Sequence, residues 1–486
     1  MDTTTAAPPR RWLGLTAIAT AQFMVIMDTS IIGVALPDMQ RALGFSADGL
    51  TWVFNAYVVA FGGLLLAGGK LADLFGARRM FVTGWAVLAA GSVVAGVASN
   101  PATELAGRAV QGTGSALIAP AALTLLMMLF APRPAELTKA LAVYGAAAPA
   151  GGTAGVFLGG VLTQYATWPW VFFINLPIAA LVLALAAGSL PGGSLGARAR
   201  VDVLGAVAVT GGLAVAVYAV VSAPSVGWGA ARTWVLLAVA AALLVAFVAL
   251  QATRRDPLVR LGIFSAPNLG AANLAQALLG AAWIPMWFFL NLYLQQVLGL
   301  SAFPSGAALL PMTGLIMLGM VVLAPRVMAK LGPKIPLVAG LLILSGGLLW
   351  LAQVDAHGTY VVDVLPASLV AALGMALAFI PSLGTAISAA RPEEGGLASG
   401  LVSTSYQVGS ALGLAIATAI AAAAGTSKAG DLNAITHGYS LAFIVAAVTA
   451  LAGAIAATVL MRTRRPASTD DADSYDEQRS PDQARS

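Results

Sequence analysis

The chain has 486 residues, of which 59% are hydrophobic and 9% are charged, and its mean hydropathy is +0.88. This composition excludes a series of soluble domains and indicates an integral membrane protein. The chain contains no cysteine, which excludes disulfides, thiol catalysis and cysteine metal sites. A net charge of +5 would suggest nucleic acid as a partner of a soluble protein, so its meaning depends on where the basic residues lie.

The hydrophobic segments predict the architecture. A membrane-spanning helix needs about 20 mostly apolar residues, and the chain contains about fourteen segments of that length separated by short polar loops. The predicted spans lie at about 12–36, 49–69, 79–98, 102–129, 137–163, 170–190, 201–221, 233–252, 267–297, 304–328, 334–353, 362–388, 396–424 and 438–461. We therefore expect an all-α integral membrane protein.

The basic residues outside these spans are distributed very unevenly. If the loops alternate between two sides, one side holds Arg41, Arg232 and Lys428, and the other side holds nearly all the remaining lysines and arginines. Basic loops stay in the cytoplasm, so this asymmetry predicts that both termini are cytoplasmic. It also accounts for the net charge without a nucleic-acid partner.

The first predicted span contains Asp28, and the fourth contains Arg108. A charge at bilayer depth costs about 3 to 10 kcal/mol, so each of these residues is expected to be functional and to have a partner. At 1.5 Å per residue, both lie roughly 10 Å from the outer ends of their spans and can share a pocket. Arg108 keeps its charge, whereas a carboxylate can bind a proton when it moves away from the cation. We predict that the pair couples transport to protons; a permanent structural ion pair is the alternative.

Polar and aromatic residues recur at helical spacing on spans four and nine and could bind a substrate. On span four, Gln111 and Ser115 follow Arg108 on one face, and span two contributes Asn55. The corresponding stripe on span nine consists of Gln276, Trp283, Trp287 and Asn291. For Gln111 and Asn55 the alternative to substrate binding is a hydrogen bond to a neighbouring helix. For the two tryptophans the alternative is packing.

A loop pattern is repeated in the two halves of the chain. In Gly69 to Arg79 and in Pro325 to Lys334, one basic residue precedes a glycine by six positions and another follows it by two. Parallel repeats of this kind build many transporters, with the substrate site between them. We predict two six-helix bundles in a pseudo-symmetric arrangement plus two inserted helices. The expected units are an N-terminal bundle at 1–192, the inserted pair with its linkers at 193–262, a C-terminal bundle at 263–463 and a disordered cytoplasmic tail at 464–486.

Four motifs, in this order along the chain, resemble a known family. They are Asp28 to Pro37, the loop Gly69 to Arg79, Arg108 to Gly114 and Trp168 to Pro177. Together they resemble the major facilitator superfamily, and within it the fourteen-span drug:proton antiporters. The resemblance covers nearly the whole chain and also places span nine beside a central cavity.

The resemblance implies further roles. In the family, the acid at the position of Asp73 helps to close the inner side, and the implied gating loop includes Gly69, Lys70, Gly76, Arg78 and Arg79. The fifth-helix motif implies a hinge formed by glycines, here Gly155, Gly159 and Gly160. However, Val156 stands where exporters have a proline, and this weakens the motif as a marker of export.

The predicted function is proton-coupled export of small hydrophobic or aromatic compounds, such as drugs, antibiotics or secondary metabolites, from a bacterial cell. Because Asp28 is the only clear acid within a span, neutral, zwitterionic or monocationic substrates are expected rather than divalent cations. The alternative is proton-coupled or facilitated uptake of a nutrient. An enzyme is less favoured, since it would need a cluster of histidines or acids near the membrane interface.

The expected partners are a small-molecule substrate, protons and the lipid bilayer, and a monomer is expected. There is no nucleotide-binding Gly-Lys-Ser/Thr loop, so the energy source is a proton gradient and no cofactor is predicted. His357 and His437 have no ligand spacing around them, so no metal site is predicted.

Overall fold

The computed structural model describes residues 11–45, 47–192, 202–254, 257, 261–391, 395–426 and 431–462. Within these ranges the chain is almost entirely helical and contains no strand. The predicted tail at 464–486 and the linker at 193–201 lie outside the described residues.

Nine helices form the described residues of the first part of the chain. They are α1 (Arg11–Leu43), α2 (Ala47–Phe75), α3 (Ala77–Gly96), α4 (Pro101–Phe130), α5 (Pro134–Tyr165), α6 (Trp170–Phe173), α7 (Asn175–Ser189), α8 (Val203–Val226) and α9 (Ala231–Thr253). The short α6 and the longer α7 together form one crossing of the membrane, Trp170–Ser189.

The second part follows a short 3₁₀ turn at Leu261–Ser265. It consists of α10 (Leu269–Leu292), α11 (Ala302–Ala308), α12 (Leu310–Leu318), α13 (Ala324–Leu331), α14 (Lys334–Leu351), α15 (Leu365–Ser388), α16 (Gly395–Ala421) and α17 (Leu432–Leu460). Single π turns continue these helices at Tyr293–Val297, Gly319–Leu323, Tyr360–Val364 and Ala422–Thr426. The membrane crossings that contain α10, α12, α15 and α16 therefore each include a regular α-helix extended by a π turn.

The described residues include thirteen helices that are long and apolar enough to cross a membrane, and α8 contains a shorter apolar stretch, Leu204–Val220. The prediction of an all-α membrane protein with about fourteen spans is confirmed. The helix pairing is repeated in the two halves: α1 packs on α5 as α10 packs on α16, and α3 packs on α4 as α14 packs on α15. The inserted helix α8 packs along α9 and contacts α2 and α16.

The helix ends differ from the sequence-based boundaries. The predicted first span stops near residue 36, whereas α1 continues to Leu43 and ends at Gly44, whose φ is 73°. Most of the Gly69 to Arg79 loop is also helical, because α2 ends only at Phe75. Gly76, with a φ of 91°, then separates α2 from α3. Glycine adopts such left-handed conformations without steric cost, so these two positions end the helices.

The helices alternate in direction, so α1 begins and α17 ends at the same face. We call this the terminal face, and the other one the opposite face. Contacts between distant segments occur at the terminal face: Arg11 pairs with Glu136 at 3.1 Å, and the Lys334 ammonium donates to the Met461 carbonyl at 2.6 Å.

The two bundles also meet near the middle of their helices. The hydroxyl groups of Thr153 on α5 and Thr313 on α12 lie 2.5 Å apart, and both residues are buried. Thr313 also donates to the Leu309 carbonyl at 3.0 Å, which leaves Thr153 as the donor between the bundles. This hydrogen bond joins residues 160 positions apart in the chain.

Candidate functional site

Asp28 and Arg108 form a fully buried ion pair. The Arg108 Nη1 atom donates to Asp28 Oδ2 at 2.6 Å, and both side chains are 0% exposed. The pairing expected from their similar depth is therefore present between α1 and α4. A buried ion pair is stable only when hydrogen bonds satisfy its remaining polar atoms, so the neighbouring residues decide what this pair can do.

Amide and hydroxyl groups from three helices surround the Asp28 carboxylate. Its Oδ1 atom accepts hydrogen bonds from the side-chain amides of Asn175 at 2.7 Å and Gln111 at 3.2 Å. The same two amides also donate to the hydroxyl of Ser92, at 3.0 and 2.8 Å. The network therefore links α1, α3, α4 and the start of α7. A change in the charge of Asp28 alters hydrogen bonds to helices α4 and α7 at once.

The arginine is held from the other side. Arg108 Nε donates to the Val53 carbonyl at 2.9 Å, and Nη1 also donates to Gln111 Oε1 at 2.9 Å. The guanidinium lies 4.6 Å from the centre of the Tyr57 ring, a cation–π contact. The Tyr57 hydroxyl donates to Ser115 at 2.8 Å. Among the described residues, the Nη2 atom of Arg108 has no hydrogen-bond partner.

A second acidic residue lies close to this network. Glu104 is 0% exposed in the first turn of α4, four residues before Arg108. Neither of its carboxylate oxygens has a hydrogen-bond partner in the described part of the chain. Asp28, expected to be the only clear acid within a span, is therefore not the only buried acid in the first bundle. Glu104 lies near the end of the predicted span 102–129, where a glutamate is ordinarily hydrated, and its spacing of four from Arg108 was the available signal.

The predicted substrate residues of α2 and α4 lie inside this network or beside it. Gln111 and Ser115 are fully buried, and their side chains bond to other helices. Asn55 is 9% exposed between Val53 and Tyr57. In this conformation, the geometry of Gln111 fits the alternative of an interhelical hydrogen bond.

The residues of the α10 stripe have different environments. Gln276 is buried and donates to the Ser382 hydroxyl on α15 at 3.0 Å, and Trp283 is also buried. Half-buried Asn291 accepts a hydrogen bond from Gln295 at 3.0 Å. Trp287 is half-buried and faces the first bundle: a Cβ atom added at Gly152 of α5 would lie 3.5 Å from its ring. The stripe therefore does not form one continuous exposed surface.

The second bundle contains two pairs of neighbouring aromatic side chains on α10, α15 and α16. Trp283 and Trp287 have ring centres 6.4 Å apart, and Phe379 on α15 packs edge-on against Tyr406 on α16 at 6.0 Å. Phe379 also lies beside Gly145 of α5, across the interface between the bundles. Sequence reasoning missed Phe379 and Tyr406, because single aromatic residues in apolar helices are usually packing residues.

At the terminal face, Asp73 links the two bundles. Its Oδ2 atom accepts a hydrogen bond from the backbone amide of Leu397, in the first turn of α16, at 3.0 Å. Gly69 lies nearby, with its Cα atom 3.5 Å from a Cβ atom added at Gly400. The basic residues of the predicted loop do not converge on this contact: Arg78 donates to the Ala187 carbonyl at 2.8 Å, Lys70 is half-buried, and Arg79 is exposed.

Comparison with known proteins shows to which family this chain belongs. A family model described as the Major Facilitator Superfamily matches residues 18–414. The chain belongs to the Major Facilitator Superfamily. It is therefore a multi-pass membrane protein of a superfamily that transports small molecules.

Two relatives within the superfamily match nearly the whole chain. The puromycin resistance protein pur8 of Streptomyces alboniger is 36% identical over 470 residues, covering 94% of this chain and 93% of that protein. The cephamycin export protein CmcT of Amycolatopsis lactamdurans is 38% identical over 449 residues, covering 92% of each. A solved structure of the MFS proton:xylose symporter XylE has a TM-score of 0.66 at 13% identity and covers 91% of this chain and 94% of that chain. That likeness shows the superfamily fold alone.

The superfamily's fifth-helix glycines are not equivalent in this chain. A Cβ atom added at Gly155 would lie 2.8 Å from the Met27 carbonyl oxygen on α1, so this glycine permits a close helix contact. The carbonyl of Gly159 accepts a hydrogen bond from Thr163 at 2.7 Å. Gly160 has open space where its Cβ would be. Gly155 therefore lies at a close helix contact and Gly160 does not in this conformation, and the hinge role of the three glycines stays a prediction.

Proposed function

We propose that this protein exports small hydrophobic or aromatic organic molecules, including antibiotics, in exchange for protons. The observation that carries the proposal is the Asp28–Arg108 ion pair, which is fully buried and bonded to three further side chains or carbonyls within one bundle. The relatives pur8 and CmcT, named for resistance and export, support the direction. Uptake of a nutrient depends on Val156 alone and is the weaker candidate.

The orientation follows from the charge asymmetry of the loops. We infer a location in the bacterial plasma membrane with both termini in the cytoplasm, so that the terminal face is the cytoplasmic face. The hydrogen bond from Leu397 to Asp73 then joins the bundles on the cytoplasmic side, which supports the proposed gating role of Asp73. Protons that drive export would reach the Asp28 network from the opposite, outer face.

Proton binding would change the network in a defined way. Protonation of Asp28 removes the negative end of the ion pair, while Arg108 keeps its charge. The amides of Gln111 and Asn175 would then donate to a neutral carboxyl group, and such hydrogen bonds are weaker than those to a carboxylate. Because these groups belong to α4 and α7, one protonation event favours a different packing of α1 against both helices.

The energy of one proton is sufficient for this task. A proton that moves through about 100 mV releases about 2.3 kcal/mol, whereas a tenfold accumulation of substrate costs about 1.4 kcal/mol. One coupled carboxylate can therefore maintain a useful gradient of substrate. We propose that transport needs no cofactor other than the proton gradient and includes no enzymatic step or metal ion.

The substrate surface is proposed to lie between the bundles, where Trp287, Phe379 and Tyr406 are half-buried and face α5 or each other. Aromatic rings offer flat apolar contact area, which suits neutral or monocationic aromatic molecules. We propose that a monomer in the lipid bilayer is the functional unit, because this surface lies between two bundles of the same chain.

Transport of puromycin by the purified protein in liposomes tests the proposal. With an imposed pH gradient, addition of puromycin should release protons from the wild-type protein, and this release should be lost in Asp28→Asn. Arg108→Lys should also fail, because lysine cannot reproduce the planar, multidentate contacts of the guanidinium. Asp38→Asn is the matched control, since Asp38 pairs with Arg41 at the surface. Substrate-induced proton release that persists in Asp28→Asn would contradict the proposal.

A further inference from the structure

In the described part of the chain, two residues of α4 have buried polar atoms without hydrogen bonds. Among the described residues, neither oxygen of Glu104 has a partner, and neither does the Nη2 atom of Arg108. Both side chains are 0% exposed. The two residues are four positions apart, so they lie on the same face of α4 and about 6 Å apart along its axis. An acceptor without a donor and a donor without an acceptor therefore lie one helical turn apart.

The charge of the cluster determines the protonation state of Glu104. The charged groups that act on it are Arg108 on its own helix and Asp28 on α1, and α2 contributes the neutral ring of Tyr57 beside the guanidinium. The network residues of α3 and α7 are Ser92 and Asn175, which carry no charge. Asp28 and Arg108 already neutralise each other. An ionised Glu104 would add a buried negative charge that has no donor, so Glu104 carries a proton in this conformation.

We propose that Glu104 is a second proton-binding group, which passes its proton to Asp28 while Arg108 changes counter-ion from Asp28 to Glu104. The proposal rests on the proton-coupled transport described above. The O–H bond at Glu104 breaks and an O–H bond forms at Asp28, so one proton moves and no electron is transferred. The cluster of two carboxyl groups and one guanidinium stays neutral before and after the step.

The geometry of Arg108 suits this exchange. A guanidinium group has five N–H donors in a fixed fork, and here Nη1 bonds to Asp28 while Nη2 is available. The exchange requires the Arg108 side chain to rotate so that Nη2 bonds to the Glu104 carboxylate, one helical turn away. Glu104 also lies one turn nearer than Arg108 to the opposite face, where α4 begins at Pro101. It is therefore the first of the two carboxyl groups that a proton from the outer side would reach.

The exchange explains why a second acid is useful. Without Glu104, protonation of Asp28 would leave Arg108 as a buried cation with no counter-ion, which is strongly unfavourable. With Glu104, the positive charge of Arg108 is balanced in both states of the cycle. Loss of Glu104 should therefore make proton loading at Asp28 harder, and a lower external pH should be needed for transport.

Transport in liposomes containing the full-length protein provides the first test. The external pH that gives half-maximal proton-driven transport of puromycin should shift by about one unit toward acid in Glu104→Gln, since one unit corresponds to a tenfold change in proton binding. Glu104→Asp keeps a carboxyl group in the same turn and should restore most of the wild-type profile. Glu136→Gln is the control, because Glu136 pairs with Arg11 at the terminal face and should leave the profile unchanged. A wild-type profile in Glu104→Gln would overturn the proposal.

Infrared spectroscopy gives a second test that does not depend on transport. The substrate-free protein at neutral pH should show the carbonyl band of a protonated carboxyl group, which should disappear in Glu104→Gln and persist in Glu136→Gln. If Glu104→Gln does not fold, the band should still shift in Glu104→Asp, and an unshifted band would overturn the proposal.

The Asp28→Asn transport experiment separates the proposed function from the proposed role of Glu104. Proton coupling that is retained in Asp28→Asn contradicts coupling through Asp28 itself. Coupling lost in Asp28→Asn, with an unchanged profile in Glu104→Gln, contradicts only the role of Glu104.

Discussion

Asp73 on α2 accepts a hydrogen bond from the backbone amide of Leu397 on α16, over a distance of 3.0 Å. The first amides of a helix have no partner within the helix, and the helix dipole favours a negative charge beside them. The contact therefore joins the end of helix α2 in the first bundle to the beginning of helix α16 in the second. Gly69 and Gly400 lie at the same place, where a Cβ atom added at Gly400 would be 3.5 Å from the Gly69 Cα atom.

We expect Asp73→Asn to weaken this contact by about 1 kcal/mol, because it removes the charge but keeps the size of the side chain. The population with an open terminal face should increase. The chain has no cysteine, so spin labels at Phe75→Cys and Ser388→Cys can report the distance between the bundles. The distance distribution should become longer and broader in Asp73→Asn, and Asp38→Asn should not change it. An unchanged distribution in Asp73→Asn would show that the contact does not hold this face closed.

The hydrogen bond between Thr153 and Thr313 leads to a second prediction. Thr153→Val keeps the shape of the side chain but removes the donor, so one buried contact between the bundles is lost, at a cost of about 1 kcal/mol. The same spin-label pair should show greater separation of the bundles. Thr124→Val is a suitable control, because among the described residues the buried Thr124 hydroxyl donates to the Pro120 carbonyl of its own helix. Equal effects of the two substitutions would mean that Thr153 stabilises its own helix rather than the interface.

Two glycines of α5 form a matched pair for a stability measurement. A methyl group at Gly155 would lie 2.8 Å from both the Met27 carbonyl oxygen and the Ser30 Cβ atom, whereas one at Gly160 would meet open space. We expect Gly155→Ala to destabilise the protein by about 1 to 3 kcal/mol through overpacking, and Gly160→Ala to be close to neutral. Thermal unfolding followed by tryptophan fluorescence in detergent can measure both. A stable Gly155→Ala variant would refute the close contact between α1 and α5.

The proposed aromatic surface predicts a change in substrate affinity. Trp287→Ala should weaken the binding of puromycin by about fivefold or more, because an aromatic contact contributes roughly 1 kcal/mol beyond its apolar area. Trp350→Ala is the control, since Trp350 lies on α14 and is 44% exposed on the outside of the helix bundle. Binding can be measured by equilibrium dialysis with the purified protein. If both variants bind equally well, Trp287 is only a packing residue.

The paired charges show how far sequence reasoning extends. Asp28 and Arg108 could be matched because each is a charge in an apolar segment at a similar depth, and buried charges require partners. Asn175 and Ser92 could not be matched in this way, since amides and hydroxyls are common in helices and carry no comparable penalty. Asn175 contacts Asp28 from 147 residues away, and only the packing of α7 against α1 brings the two together.

Glu104 shows the opposite limit. Its side chain is four residues from Arg108, and this spacing is visible in the sequence. Whether the carboxyl group meets water or is buried without a donor depends on the helices packed around the first turn of α4. The same holds for Gln111, whose bonds to Asp28 and Ser92 turn a predicted substrate contact into an interhelical one in this conformation.

The sequence by itself determined that the protein crosses the membrane many times as helices, that it has an internal repeat, and that one charge pair lies within the bilayer. These properties depend on composition and on spacing within single segments, which are local. The tertiary structure alone decided which donors satisfy Asp28, which aromatic residues face the other bundle, and that Glu104 and one nitrogen of Arg108 have no partner within the part of the chain that the structure describes. Hydrogen bonding and burial depend on distances between residues that are far apart in the chain, and only the packed fold sets those distances.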